Sequence, residues 1–147
     1  MERSTHHVMK PLAVYFYGRE KCAPRHSYGP GIRPHYLIHA VIRGNGIFRQ
    51  NGREYPLAAG DAFLIRPLET TYYEADPTEP WEYMWIGFDG TEVKSILSET
   101  YFDTSPVCYI KDTKWMTEIY EQISARMREY YTQTSRNALT ACGLLLE

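Results

Sequence analysis

Residues 36–67, YLIHAVIRGNGIFRQNGREYPLAAGDAFLIRP, fall into short apolar runs with frequent β-branched and aromatic residues, separated by turn residues. Side chains of an extended chain alternate between two faces, so each run reads as a strand with one face available for a core. The turns are as informative as the strands. Both central positions of a type I′ hairpin need positive φ, which Asn51 and Gly52 tolerate, so IFRQNGREY is expected to be a tight hairpin. Pro56 has no N–H for a ladder, which places the second strand of that hairpin at a sheet edge or a bulge. Gly60-Asp61 is the next turn, leading into AFLI.

The same pattern extends in both directions. Upstream, LAVYFYG (residues 12–18) is a first strand, and CAPRHSYGPGIRP (residues 22–34), with three prolines and two glycines, reads as a long irregular connection. Residues 1–10 carry no periodic apolar pattern and read as an N-terminal arm. Downstream come TYYEA, a break at DPTEP, and the aromatic strand WEYMWIGF. Short strands at this spacing predict an all-β barrel or sandwich.

The last third changes period. Trp115, Ile119, Ile123 and Met127 recur every fourth residue, and Met116, Tyr120 and Tyr130 widen the stripe, which predicts an amphipathic helix capped by Asp112 or Thr113. A second helix is expected from about Ser135, with Leu139, Cys142, Leu145 and Leu146 on one face. The chain stops at Glu147 without glycine, proline or polar tail, so the natural protein is expected to continue. The expected division is a barrel with its arm over residues 1–110 and a helical segment over 111–147.

Bulk properties exclude several functions. A chain of 147 residues suits one domain that buries its own core. Sixteen Lys and Arg against eighteen Asp and Glu give a net charge of −2, which lacks the basic footprint that phosphate backbones require. Cys22, Cys108 and Cys142 are odd in number and far apart, which fits reduced thiols in a cytoplasmic protein better than a disulfide framework. No run approaches the ~20 apolar residues that span a membrane, and no secretory signal opens the chain. Thirteen tyrosines and three tryptophans supply flat aromatic surface for a ligand or partner.

YLIHAVIRGNGIFRQNGREYPLAAGDAFLIRP resembles the cupin barrel, a double-stranded β-helix or jelly-roll, and residues 20–90 with EPWEYMWIGF are similar to the ligand-binding domain of AraC-type transcription regulators. The implied architecture is a mainly β, cupin-like barrel followed by C-terminal α-helices. In that family a helical pair after the barrel forms the dimer interface, here implicating Ile119, Ile123, Met127 and Leu145. A DNA-binding region with two helix-turn-helix motifs follows in the family and is outside this sequence.

Metal-binding cupins carry Gly-x5-His-x-His-x3-Glu-x6-Gly and then Gly-x5-Pro-x-Gly-x2-His. Counting from Gly44 and Gly60 puts Gly31, Arg33, Leu37 and Thr71 at the four ligand positions, none of them a good ligand, so no metal is expected. If positions 31, 33 and 37 face the lumen, alternation places His35 and His39 there too. Two readings stay open for these histidines: ligand contact, or hydrogen-bonded pocket or core residues. Arg33 either meets an acid such as Glu69 or Glu74, reaches water at a strand end, or is offered to a ligand, because an unpaired buried charge is costly.

Trp81, Tyr83 and Trp85 share a face of the aromatic strand. Aromatic faces stack on the C–H surface of sugars while hydroxyl and indole N–H groups orient sugar hydroxyls. Resemblance to sugar-responsive members implies that Tyr73, Tyr83 and Trp85 line the pocket, while Trp81 reads as core. The expected ligand set is therefore Arg33, His35, His39, Tyr73, Tyr83 and Trp85, with no catalytic residue and no cofactor.

The leading expectation is the effector-sensing and dimerisation domain of a sugar-responsive regulator, not an enzyme. It would bind a small carbohydrate, form a homodimer in the cytoplasm, and reach DNA only through the region outside this sequence. The alternative is a metal-dependent cupin enzyme, an isomerase or dioxygenase. A free-standing carbohydrate-binding module leaves the apolar C-terminal stripe unexplained.

Overall fold

The structure is a computed structural model that describes residues 10–141. Among these, nine strands form two antiparallel sheets. They are β1 (Ala13–Lys21), β2 (Ser27–Gly31), β3 (Tyr36–Arg43), β4 (Asn45–Gln50), β5 (Arg53–Ala58), β6 (Asp61–Ile65), β7 (Thr71–Ala75), β8 (Glu82–Asp89) and β9 (Val107–Tyr109). Two helices follow β8 and β9, namely α1 (Val93–Leu97) and α2 (Thr113–Ala141). One sheet has the order β1-β8-β3-β6-β9 and the other β2-β7-β4-β5. The chain passes back and forth between the sheets, which is the expected jelly-roll. The N-terminal arm falls almost wholly outside the described residues.

The local signals act as elementary chemistry dictates. Asn51 (φ 54°) and Gly52 (φ 71°) turn β4 into β5, and Gln50 pairs with Arg53 directly across the turn. Pro56 lies in β5, at the edge of its sheet, where its missing N–H breaks no ladder. Alternation then builds the core: Leu37 and Val41 of β3, Phe63 and Ile65 of β6 and Tyr83 of β8 meet Phe48, Leu57, Tyr73 and Ala75 from the other sheet. Trp81 is buried among them and its Nε1 donates to the Leu57 carbonyl at 3.0 Å, so it is core, as read from the sequence.

Two expectations need correction. The segment read as irregular contains strand β2, which pairs with β7 through Ser27–Glu74 and Tyr28–Tyr73. As an edge strand it tolerates Pro30, and its pairing is a tertiary fact that local propensity does not express. Among the described residues the C-terminal region holds one helix where a second was expected to begin: α2 runs unbroken through Ser135. Thr132, Thr134, Ser135 and Asn137 are indifferent helix formers, but no glycine or proline interrupts the 29 residues, and Gln133 hydrogen-bonds Asn137 one turn on at 2.9 Å.

The chain divides into two compact units between Thr113 and Lys114. The second is α2, which carries Ile119, Ile123 and Met127 at every fourth position, whereas Leu145 lies outside the described residues. No helix among the described residues is long and apolar enough to cross a membrane.

Candidate ligand site

β3 lies between β6 and β8, so His39 has Phe63 directly across on one side and Trp85 on the other. Its ring stacks on Phe63 with centroids 4.6 Å apart and interplanar angle 7°, and meets Tyr83 edge-on at 4.8 Å. Beside it opens a cavity of about 230 Å³. Arg33, His39, Tyr73, Tyr83 and Trp85 line this cavity, which are five of the six residues singled out in the sequence.

His35 is not among them. Its Nδ1 lies 3.3 Å from Asp89 Oδ2 and its ring packs edge-on against Tyr15 at 4.9 Å. β3 begins at Tyr36, so His35 precedes the strand and the alternation counted back through it has no force there.

The sequence reading missed Glu20, His26, Ser27 and Tyr28 as wall residues, whereas the count from Gly44 already puts Leu37 on the lumen side. For Glu20 the missing information was the length of the first strand. β1 extends to Lys21 rather than ending at Gly18, and alternation along the longer strand sets Gly18 and Glu20 on one face. Gly18 has a role there: it pairs with Trp85 across the strands, and a Cβ at Gly18 would overlap the indole. The bare backbone of β1 lets the indole lie flat against the cavity wall.

Arg33 meets neither Glu69 nor Glu74. Glu69 accepts from Gln50, and Glu74 accepts from Tyr72 and faces Arg25. The guanidinium instead donates from Nη2 to the Tyr73 hydroxyl at 2.9 Å and lies 3.6 Å over the centroid of the Tyr28 ring. Among the described residues no carboxylate pairs with it, and its buried Nε has no hydrogen-bond partner. His39 Nδ1 is likewise buried without one.

Burial sets the protonation of the wall. It pushes the Tyr73 hydroxyl up to about 12 against the opposing pull of Arg33, and pushes Tyr83 up as well. It lowers His39 to about 3, with the nearby positive charge of Arg33 adding to the effect. The Cys22 thiol behind Tyr83, hydrogen-bonded to it, is raised by its own burial. All these shifts keep the groups uncharged near pH 7, which suits fixed hydrogen-bonding groups rather than proton transfer.

The residues do not fit a cupin metal. Arg33 and Leu37 sit on the wall where the metal-binding pattern has ligands, Thr71 is a buried hydroxyl, and the described residues contain no cluster of three or more His, Cys, Asp or Glu. A larger groove of about 510 Å³ takes Ile47, Pro56 and Glu74, which alternate with core residues and so lie on the outward face of the four-stranded sheet. It contains none of the six residues expected to bind the ligand.

This geometry coincides with recognisable kinship. The chain is 32% identical over 143 residues to the Msm operon regulatory protein of Streptococcus mutans, covering 81% of this chain and 51% of that protein. It is 35% identical over 104 residues to the raffinose operon transcriptional regulatory protein RafR of Pediococcus pentosaceus, covering 69% of this chain and 37% of that protein. The chain thus spans about half the length, or less, of these relatives, whose names are those of regulators and not of enzymes, as expected of a non-enzymatic domain. Apo ToxT from Vibrio cholerae shares the fold at a TM-score of 0.52 and 12% identity, over 77% of this chain and 48% of that one. Residues 13–145 match the family described as the AraC-like ligand binding domain, and with nearly the whole chain matched, the protein belongs to that family.

Proposed function

We propose that this chain is the effector-sensing domain of a sugar-responsive transcription regulator, binding a small carbohydrate in the barrel and relaying its presence to a DNA-binding region beyond this sequence. The observation that carries the reading is the cavity wall. Tyr73, Tyr83 and Trp85 offer aromatic surface, and the unpartnered Nε of Arg33 and Nδ1 of His39 await a polar ligand. Relatives named for the Msm and raffinose operons support a sugar in that role.

The relay is a population shift, in which the ligand favours one arrangement of the parts outside the barrel. The protein acts in the cytoplasm as a homodimer through the stripe of Ile119, Ile123 and Met127 on α2, with Leu145, outside the described residues, the further residue expected from the sequence. DNA is reached only through the further region. A thermal-shift screen of the chain against mono-, di- and trisaccharides, with and without chelator, tests the reading. A sugar that raises the melting temperature regardless of chelator is expected, since binding to the native state stabilises it by mass action. Stabilisation by divalent metal alone, abolished by chelator, would overturn it. For the dimer, sedimentation at high concentration should give twice the chain mass, and Ile123→Glu should return it to one.

A further inference from the structure

We infer that the Gly60-Asp61 turn and Lys111 form a clamp through which a ligand in the cavity acts on the start of α2. This rests on the sensing reading above, whose relay it assigns to named contacts.

The route starts at the cavity wall. His39 on β3 has Phe63 of β6 directly across from it, and Phe63 has Val107 of β9 across from it in turn, so one row of residues runs from the cavity to the last strand before α2. His39 stacks on Phe63 at 4.6 Å, and all three residues are buried, so a shift of the ring is passed along the row rather than lost to solvent. Two residues beyond His39, the Val41 carbonyl accepts from the Gly60 N–H at 2.9 Å. The Gly60 carbonyl then accepts from the Lys111 N–H at 2.7 Å. Lys111 lies just ahead of α2, which begins at Thr113.

The clamp is strained, and that makes it an element with two arrangements. Lys111 has φ 61°, in the left-handed region that a residue with a Cβ disfavours. Such a conformation persists only while its surroundings hold it. Three contacts do so here. One is the N–H bond to Gly60, and a second is the pairing of the Lys111 ammonium with the buried Asp61 carboxylate, itself fixed by the Ala58 N–H at 2.8 Å. The third is the bare backbone of Gly60 (φ 91°), where a Cβ would lie 2.6 Å from the Lys111 Cα. Release of the ammonium frees Lys111 to relax to an ordinary φ and loosens the backbone ahead of α2. A ligand that steadies His39 and β3 favours the closed clamp, which is a population shift.

The test is amide hydrogen exchange of the chain, read at the Lys111 N–H and at the first intrahelical amides of α2, Thr117–Ile119, with β4 and β5 amides as the reference for general loosening. Lys111→Met is expected to speed both about tenfold relative to the reference, and Lys111→Arg to stay within about twofold of the native chain. Unchanged rates in Lys111→Met would overturn the clamp. The route from the cavity is tested without ligand by His39→Leu, expected to speed the same amides about fivefold in the native background and less than about twofold on top of Lys111→Met. Equal factors in the two backgrounds, or no effect in either, would overturn the route. Galactose, melibiose, raffinose, glucose, maltose and maltotriose are then titrated by calorimetry, and one that binds is expected to slow these amides at least about threefold in the native chain and not in Lys111→Met. Binding that leaves them unchanged would overturn the inference while the carbohydrate reading stands. If none of these saccharides binds, it is the carbohydrate reading that falls, and the ligand-free variants decide the clamp by themselves.

Discussion

His39 makes the stability of the barrel depend on pH in a way that can be calculated. The side chain is 2% exposed, and burial lowers its pKa to about 3 from the ordinary 6.5. Between those values the unfolded chain binds a proton that the native state refuses. Stability contributed by the neutral ring is therefore complete above about pH 6.5 and is lost as pH falls toward about 3. Each unit is worth about 1.4 kcal/mol, so lowering the pH from about 7.5 to about 5 removes about 2 kcal/mol through this residue. That is a large share of the 5–15 kcal/mol or so that holds a typical domain together.

His39→Phe isolates the effect, since a phenyl ring preserves the stack on Phe63 and cannot titrate. Urea unfolding at several pH values, for both proteins, is the assay. The stability difference between them should shift by about 2 kcal/mol in favour of the variant from about pH 7.5 to about pH 5, with other titrating groups common to both. Parallel pH profiles would refute the reasoning, because they would mean that His39 gains its proton as readily in the native state as in the unfolded one.

Three further substitutions probe the site and its frame. Gly18→Ala should push the Trp85 indole off the β1 backbone, costing about 1–3 kcal/mol by overpacking, shifting the tryptophan emission and weakening saccharide binding; unchanged emission and affinity would show that the glycine does not position the indole. Gly52→Ala is the contrasting case, since no atom lies within 4 Å of an added Cβ but φ is 71°: thermal unfolding should report a loss of about 1 kcal/mol, with ligand affinity unaltered. Asp61, 3% exposed, accepts from the Ala58 N–H at 2.8 Å and pairs with Lys111, so Asp61→Ala should cost about 2 kcal/mol in urea unfolding and Asp61→Asn should recover part of it; equal losses would exclude the backbone hydrogen bond as a contributor.

Much of the frame was legible in the residues. Asn51-Gly52 specified its hairpin because tolerance of positive φ is a property of those two residue types, and Pro56 marked an edge because a missing N–H is covalent fact. Alternation along the aromatic strand put Tyr83 and Trp85 on one face, and the parity of the count back from Gly44 put His39 with Arg33 on the lumen side, where all four line the cavity. Local rules failed where an outcome depended on a distant neighbour. β2 exists because β7 is there to pair with it, and Glu20 reaches the wall because β8 extends the pairing of β1 past Gly18.

His35 and His39 state the division most clearly. Sequence places both in one short segment with the same parity, and determines that the segment becomes a strand. Only the tertiary structure decides that β3 starts between them, sending His35 to Asp89 and Tyr15 and enclosing His39 among Phe63, Tyr73 and Tyr83. The same holds for Arg33, whose need of a partner is evident from its charge, but whose partners, the Tyr73 hydroxyl and the Tyr28 ring, are chosen by strands 40 residues apart in the chain meeting at one wall. Dihedral preference, alternation and helical period are properties of neighbouring residues, whereas a pocket is made by side chains that the chain brings together only once its sheets have closed.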